Sequence, residues 1–502
     1  MAPSIAIIGA GPGGAVALDV FLKNGYSDVT VFERRKLVGG TWNLDEQLGF
    51  KPSEDVPGSQ RTDIDPPIPI PREAGEASGN QPFVRPASDF GPRYEESPLY
   101  PQVETNVLAE MMSFSEKPFP PVHPPHTKER FGRDDAYRTH DVIKDYVTGY
   151  FQGRENHVVL NTTVEKAFQV NGPGSKWKLI FRRHEVNGNL EEWWSQEFDF
   201  LYAASGRFNV PYVPQIDGLN EAISESTPGT IIHTKVFRDP TIYKDKSVVL
   251  IGASFSNVDI AHLILQAGVK TPLHLSLRHV LPTSIRGFAQ PWIVPHPTIS
   301  KVSLNGTDKL TIQFEDGETL SGVDHLIIGT GYRYSYPYLE EYLKPYGAIV
   351  NESGKGSKNL LWSTWWKYDS SLAVTSGITD SLFWRLLEAQ AKASAALWKR
   401  DRSTWPTSQE SDQWESARRS KDLYDFHIWY PHYDEILDGV AHVGGIDFGV
   451  YPDYNKLFEL SFGLKGDFWE KEAYKYAEAH PETAKQFEET KKFLKTRIVT
   501  KF

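Results

Sequence analysis

At 502 residues, with 24% charged residues and a formal charge of −11, the chain is too long for one ordinary core. Its acidic balance gives no general electrostatic case for nucleic acid or an anionic membrane. It contains no cysteine, which excludes disulfides, Cys-ligated zinc, iron–sulfur clusters and a redox-active dithiol. The opening MAPSIAIIGAG has no basic leader segment, and the apolar runs are strand-sized, short of the roughly 18 residues of a membrane span. A cytoplasmic protein without a membrane span is expected.

The first predicted element is also the most informative. Residues 5–8 (IAII) predict a strand; Gly9, Gly11, Gly13 and Gly14 follow, then a helix, then a second strand ending on Glu33. In such a turn the first glycine permits the sharp bend and the second lets a pyrophosphate approach the backbone. The third, Gly14, lets helix and strand pack closely. Helix N-terminal amides then meet the phosphate charge. Glu33, 24 residues past Gly9, is placed to accept from both hydroxyls of an adenosine ribose. The plainer alternative is an α/β crossover whose glycines only shape a turn.

Residues 51–95, with eight prolines between 52 and 86, predict a long irregular excursion. Strands are expected at 158–164 and 177–182, and buried strands at 198–205 and 323–332 that run into Gly206 and into Gly329 and Gly331. Between the two buried strands, SVVLIGASFSNVDI (247–260) repeats the strand, turn and helix of the N-terminus. Gly252 takes the role of Gly9, while Ser254 and Asn257 stand where Gly11 and Gly14 stand. The next strand covers 273–277, and Arg278 lies 26 residues past Gly252. An acid at this place suits a free ribose diol and a base suits a 2′-phosphate; the alternative for Arg278 is a solvated surface arginine. A helix is predicted at 380–400, capped by Asp380 and ending on Lys399 and Arg400. The C-terminal quarter is expected to end in helices.

These motifs together resemble the flavin-containing monooxygenases, particularly the soluble fungal kind, from about residue 4 to about residue 440. GAGPGG (9–14) is similar to the family's FAD fingerprint, with Glu33 on its ribose-binding acid. Gly39, Gly40 and Trp42 match the GGxW segment that lies along the flavin. SPLYPQVETNVLAEMMSF (97–114) resembles the segment whose Thr-Asn pair, here Thr105 and Asn106, places an asparagine beside the flavin. VVLIGASFSNVDIA, with Gly252, Ser254 and Ser256, resembles the NADPH fingerprint, and Arg278 falls on its 2′-phosphate position. GTGYRYSYPYL, with Thr330 and Gly331, matches the ATGY segment. Gly377 and the helix holding Glu388 and Gln390 match the stretch that closes over the isoalloxazine. The FxGxxxHSxx[FY] pattern departs from the family: it reads Ile216, Gly218, His233, Thr234 and Phe237, with a longer Gly–His gap, and Arg238 follows Phe237.

The resemblance implies an α/β fold with two Rossmann-like dinucleotide-binding domains, the NADPH domain (216–325) inserted into a discontinuous FAD domain (1–215 and 326–502). It implies a monooxygenase in which NADPH reduces FAD, dioxygen adds to flavin C4a, and the hydroperoxide's distal oxygen passes to a soft nitrogen or sulfur of a small organic substrate. Asn106 is the expected catalytic residue, since an amide donates without offering an ionisable proton; the alternative is a helix or turn cap. The residues expected to hold FAD and NADPH are Gly9, Gly11, Gly13, Gly14, Glu33, Gly40, Trp42, Gly252, Ser254, Ser256, Arg278, Thr330, Gly331 and Gln390. His233 is expected to be structural, and no metal site is expected. A Baeyer–Villiger-type monooxygenase and a non-oxygenating flavin NADPH oxidase or reductase are the competing activities. Dioxygen and a small molecule are the expected partners, with no nucleic acid; a homo-oligomer is left open.

Overall fold

The computed structural model describes residues 2–45, 67–88, 94, 96–121, 125–133, 136–186, 189–306, 308–375, 383–421 and 427–499. Strand β1 (Ser4–Ile8) enters the first glycine turn, α1 (Pro12–Lys23) leaves it, and β2 (Asp28–Phe32) returns parallel to β1, Ser4 opposite Asp28. Strands β3 (Val158–Val159) and β4 (Phe200–Ala203) join β2 and β1 in parallel. The chain then builds a second parallel sheet. It consists of β5 (Ile231–His233), β6 (Val248–Ala253) followed by α2 (Phe255–Gln266), β7 (Leu273–Val280), β8 (Ile293–His296) and β9 (His325–Ile328). Strands β10 (Leu360–Leu361), β11 (Trp365–Trp366) and β12 (Leu372–Val374) return to the first sheet, whose order is β10-β11-β12-β4-β1-β2-β3. The second sheet runs β5-β9-β6-β7-β8. Gly9 and Gly252 therefore stand at the ends of strands in separate sheets. The two crossings lie side by side, Val210–Pro211 pairing with Tyr332–Arg333.

All five β1 residues are buried, as a strand covered on both faces requires. Helix α1 buries Gly13 through Phe21 against α3 (Phe383–Leu397), with Phe21 stacked on Trp398 at 5.3 Å. In the second unit a three-stranded meander (Ile299–Asn305, Lys309–Phe314, Thr319–Val323) lays Val302, Leu310, Ile312 and Phe314 on Val249, Ile251 and Ile328. An antiparallel sheet of Phe83–Pro86, Thr162–Gln169, Trp177–Val186 and Leu190–Phe198 extends the first unit. Phe83–Pro86 lies within the stretch expected to be irregular. It is an edge strand, where Pro86 costs no ladder bond on the open side. Residues 67–82 otherwise hold a short 3₁₀ turn, Arg72–Gly75, while 51–66, 89–93 and 95 lie outside the described residues, as do Gly377 and Asp380.

The C-terminal helices depart from the expected division. Helix α4 (Tyr454–Ala479) starts in the first core with Phe458 and Phe462 and ends in the second with Trp469; α5 (Ala484–Lys495) adds Leu494 to the second core. This tail, expected wholly on the FAD side, spans both units because its apolar positions change partners along one 26-residue helix. Among the described residues no helix is long and apolar enough to cross a membrane.

Candidate functional site

At the first turn Gly9 has φ +102°, and a Cβ there would stand 2.5 Å from the Ala204 carbonyl oxygen, so glycine is required by conformation and by space. Gly11 is the N-cap of α1 and makes no side-chain cap, which leaves first-turn amides open to an anion. A Cβ on Gly11 would meet only Gly40 Cα, at 3.5 Å, and would project into a cleft that Gly9, Gly11, Gly13, Glu33, Gly40 and Trp42 all line. Glu33 is buried; its Oε2 accepts from Ala10 N at 2.7 Å and its Oε1 from Arg35 N at 2.9 Å. Each oxygen keeps a lone pair for a ribose hydroxyl. The cradle and the acid fit an adenine dinucleotide.

Gly14 and Gln390 are not at this cleft wall. A Cβ on Gly14 would lie 1.9 Å from Gly9 O, so Gly14 serves the approach of α1 to the turn. Gln390, expected at the flavin, is a correction: its side chain is buried in the core, donating to Thr364 Oγ1 at 2.9 Å. The α3 residues that do face the cleft are Leu387 and Trp384, about one and two turns closer to the helix start than Gln390. Trp384 stands 6.3 Å from Trp42 edge to face and stacks on Phe114 at 5.2 Å. The apolar helix containing it was legible in sequence, but its cleft-facing side was not.

The second turn keeps the same backbone plan with different side chains. Gly252 has φ +94°, and a Cβ would lie 2.7 Å from Gly329 O. Ser254 is the N-cap of α2, yet its hydroxyl donates to Gly329 O at 3.1 Å and caps nothing, so these amides are open too. Asn257, in Gly14's place, is fully buried and donates to the carbonyls of Ile251 and Gly252 at 2.8 and 2.7 Å. The missing glycine is thus replaced by an amide that binds the turn. Ser256 lies half-buried in the first turn of α2, and Thr330 Cγ2 lies close to Gly252. Arg278 is exposed at the end of β7. A second phosphate cradle with a cation on the strand next to its glycine's fits a 2′-phosphorylated dinucleotide.

The boundary between the units carries the remaining residues. His233 is buried, accepts from Lys235 N through Nδ1 at 3.1 Å, and donates from Nε2 to Gly331 O at 3.0 Å. Burial lowers its pKa to about 3, so it is a neutral clamp on the Gly331 crossing. The Arg238 guanidinium donates to Asp45 O and Ser97 O of the first unit and to Lys235 O and Phe237 O of the second, at 2.6–2.9 Å. Asn106 caps no helix: the following turn Ala109–Met112 has Leu108 as N-cap and no side-chain cap. Instead Asn106 Oδ1 accepts from Lys465 Nζ of α4 at 3.1 Å. Lys465 is buried with its ammonium 4.8 Å over the Tyr137 ring, and burial lowers its pKa against the pull of Asp259 and Glu104. Asp259 of α2 accepts from Tyr100 OH at 2.7 Å, and burial raises its pKa, with Lys465 opposing. One polar network thus joins the Asn106 loop, α2 and the C-terminal helix. Lys465 gave no sequence signal, lying 359 residues from Asn106.

The flavin-binding monooxygenase-like family profile matches residues 92–276, from the Asn106 loop through the second glycine turn. The chain is 29% identical over 379 residues to the flavin-containing monooxygenase iboF of Amanita muscaria, covering 67% of this chain and 66% of that protein. It is 26% identical over 349 residues to the trimethylamine monooxygenase of Pelagibacter sp., covering 68% and 63%. It spans about two thirds of the length of the curated relatives it matches. The structure of S-allyl-L-cysteine S-oxygenase from Allium sativum superposes with a TM-score of 0.65 at 21% identity, over 98% of both chains. A fold shared over nearly the whole length, a matched family segment and two dinucleotide cradles converge. The chain is thus similar to the flavin-containing monooxygenases in sequence and shares their fold, and its two cradles fit FAD and NADPH.

Proposed function

We propose that the protein is an NADPH- and FAD-dependent monooxygenase that places one oxygen atom of dioxygen on a soft nitrogen or sulfur of a small organic substrate. The observation that carries this reading is the pair of phosphate cradles on separate sheets, joined by the Asn106 loop, in a chain with no cysteine to receive electrons. Gly9, Gly11, Gly13 and Glu33 would hold FAD, with Gly40, Trp42 and Trp384 along its ring system. Gly252, the α2 amides and Arg278 would hold NADPH, with Ser254, Ser256, Thr330 and Gly331 shaping that turn. FAD, once reduced by NADPH, supplies the activation of dioxygen.

The chain's own residues orient the reactants and exclude water. Asn106 is assigned the catalytic contact: its Oδ1 is taken by the Lys465 ammonium, so Nδ2 is the group that would donate there. An uncharged amide stabilises negative charge there without releasing a proton. Trp42 and Trp384, the latter backed by Phe114, give the ring site an apolar wall. The domain division 1–215 and 326–502 around 216–325 is supported by the sheet orders and the paired crossings, with the tail beyond 454 shared. The likeness to the Amanita muscaria protein supports placement with the soluble fungal type.

The test is an NADPH-dependent screen of amines, thioethers and ketones scored by product mass, with hydrogen peroxide measured in parallel. N- or S-oxides are expected. Lactones or esters from ketones alone would replace the reading with Baeyer–Villiger oxidation, and peroxide without product would replace it with an NADPH oxidase.

A further inference from the structure

The end of β7 carries more positive charge than the second glycine motif accounts for. Strand β8 pairs only with Leu273–Ser276, which leaves the last residues of β7 open on that side. The C-terminal tail takes the open edge. Val280 N donates to Arg497 O at 3.0 Å, Val499 N donates to Val280 O at 3.1 Å, and Ile498 pairs with Val280 in parallel. Paired residues of a parallel ladder share a face, and neighbours along a strand alternate. Arg497, beside Ile498, therefore falls on the same face as His279, beside Val280. By the same alternation Arg278 leans to the other face, so Arg278 and Arg497 flank the exposed His279 at the strand end, both close enough for their charge to act on it.

Arg278 is exposed, and neither it nor Arg497 makes an ion pair among the described residues. The Arg497 guanidinium lies 5.3 Å over the Phe493 ring of α5, which holds its stem in place. Burial first, then the charges of Arg278 and Arg497, hold His279 below the ordinary imidazole pKa, as expected where both guanidiniums crowd the ring. Like charges placed together on a strand edge repel. Such a group is stabilised when a multivalent anion lies among its members. In an open parallel sheet the adenosine ribose lies at the carboxyl end of the strand after the glycine helix, which here is β7.

We infer that Arg497, delivered by the C-terminal tail, is a specificity-determining residue for the 2′-phosphate of NADPH, acting beside Arg278 and His279. The inference rests on NADPH binding at the second unit, and it makes the tail part of the cofactor site as well as of the second core. The guanidinium fork donates to two phosphate oxygens.

Equilibrium binding of 2′,5′-ADP and of ADP to the FAD-loaded chain tests it by titration calorimetry, without turnover. The unmodified chain should prefer 2′,5′-ADP. Arg497→Gln, which keeps the stem on Phe493, should weaken 2′,5′-ADP about 10- to 100-fold and change ADP by less than about twofold. In the unmodified chain, 2′,5′-ADP should also protect Arg497 and Arg278 from phenylglyoxal, as read by peptide mass, while ADP should not; this measurement stands whether or not the variant folds. No preference for 2′,5′-ADP in the unmodified chain would overturn the NADPH assignment itself. A preference that Arg278→Gln abolishes and Arg497→Gln leaves intact, or protection of Arg278 without Arg497, would overturn the role of Arg497 alone.

Discussion

Two glycines of one turn, three residues apart, are held by different physics, and alanine separates them. A Cβ on Gly14 would stand 1.9 Å from Gly9 O, about 1 Å inside the closest approach that Cβ atoms make. The obstacle is backbone, so relief requires α1 to lift from β1, and α1 buries every residue from Gly13 to Phe21. Overpacking of this kind costs about 1–3 kcal/mol and occasionally more; with no flexible side chain to yield, about 3 kcal/mol or more is expected. Gly11 has φ −84° and a clearance of 3.5 Å to Gly40 Cα. Its alanine loses a tolerable N-cap but restricts the unfolded chain, two opposing effects of about 1 kcal/mol or less. Gly11→Ala should therefore match the wild type within about 1 kcal/mol while its methyl occupies the cleft and lowers flavin content. The assay is urea denaturation of FAD-stripped protein, so that ligand binding adds nothing to stability, followed by flavin retention after reconstitution. Wild-type stability in Gly14→Ala, or full flavin content in Gly11→Ala, would refute the division of roles.

His233 and His262 are held neutral by burial, with pKa values near 3 and 4. Because these lie below the unfolded value of about 6.5, their stabilising contribution is complete above that pH and lost as pH falls toward 4; it should cost about 2 kcal/mol each between pH 6.5 and 5. A urea midpoint that stays flat over that interval, or an unaltered slope in His233→Gln, contradicts this. Lys465→Met should keep flavin content but raise the peroxide share of NADPH consumption, since Asn106 loses the contact that orients it; unchanged coupling would remove Lys465 from the site. Arg238→Lys loses a fork that joins four carbonyls of two units, and each charge-assisted bond is worth about 1.5–3 kcal/mol. Faster amide exchange is expected in Asp45, Ser97 and the His233–Phe237 segment, and exchange at wild-type rates would show that the latch bears no strain.

What the sequence made legible was whatever a single strand-turn-helix unit determines by itself. The Gly9 and Gly252 turns, the strands before them and the helices after them follow from φ, steric clearance and alternation within about 30 residues, and they lie where the spacing places them. Asn257 shows the limit of that reading: a missing glycine looked like degeneracy, yet its amide binds the two carbonyls that a third glycine would only have approached. Gln390 failed for a related reason. Its helix was correctly expected, but which side faces the cleft depends on how α1 and α3 pack, and the packing aims Trp384 and Leu387 outward and Gln390 into the core. The polar network under Asn106 was out of reach altogether. Tyr100, Asp259 and Lys465 come from the first unit, the second unit and the tail, and none has a local pattern that marks it as buried. Helix α4, changing cores along its length, brings an ammonium to the Asn106 amide, and α5 after it carries the tail to the end of β7. The segment least marked by motifs is therefore the one that packs in both cores, and it runs from the Asn106 contact to the end of β7 as one continuous stretch of chain.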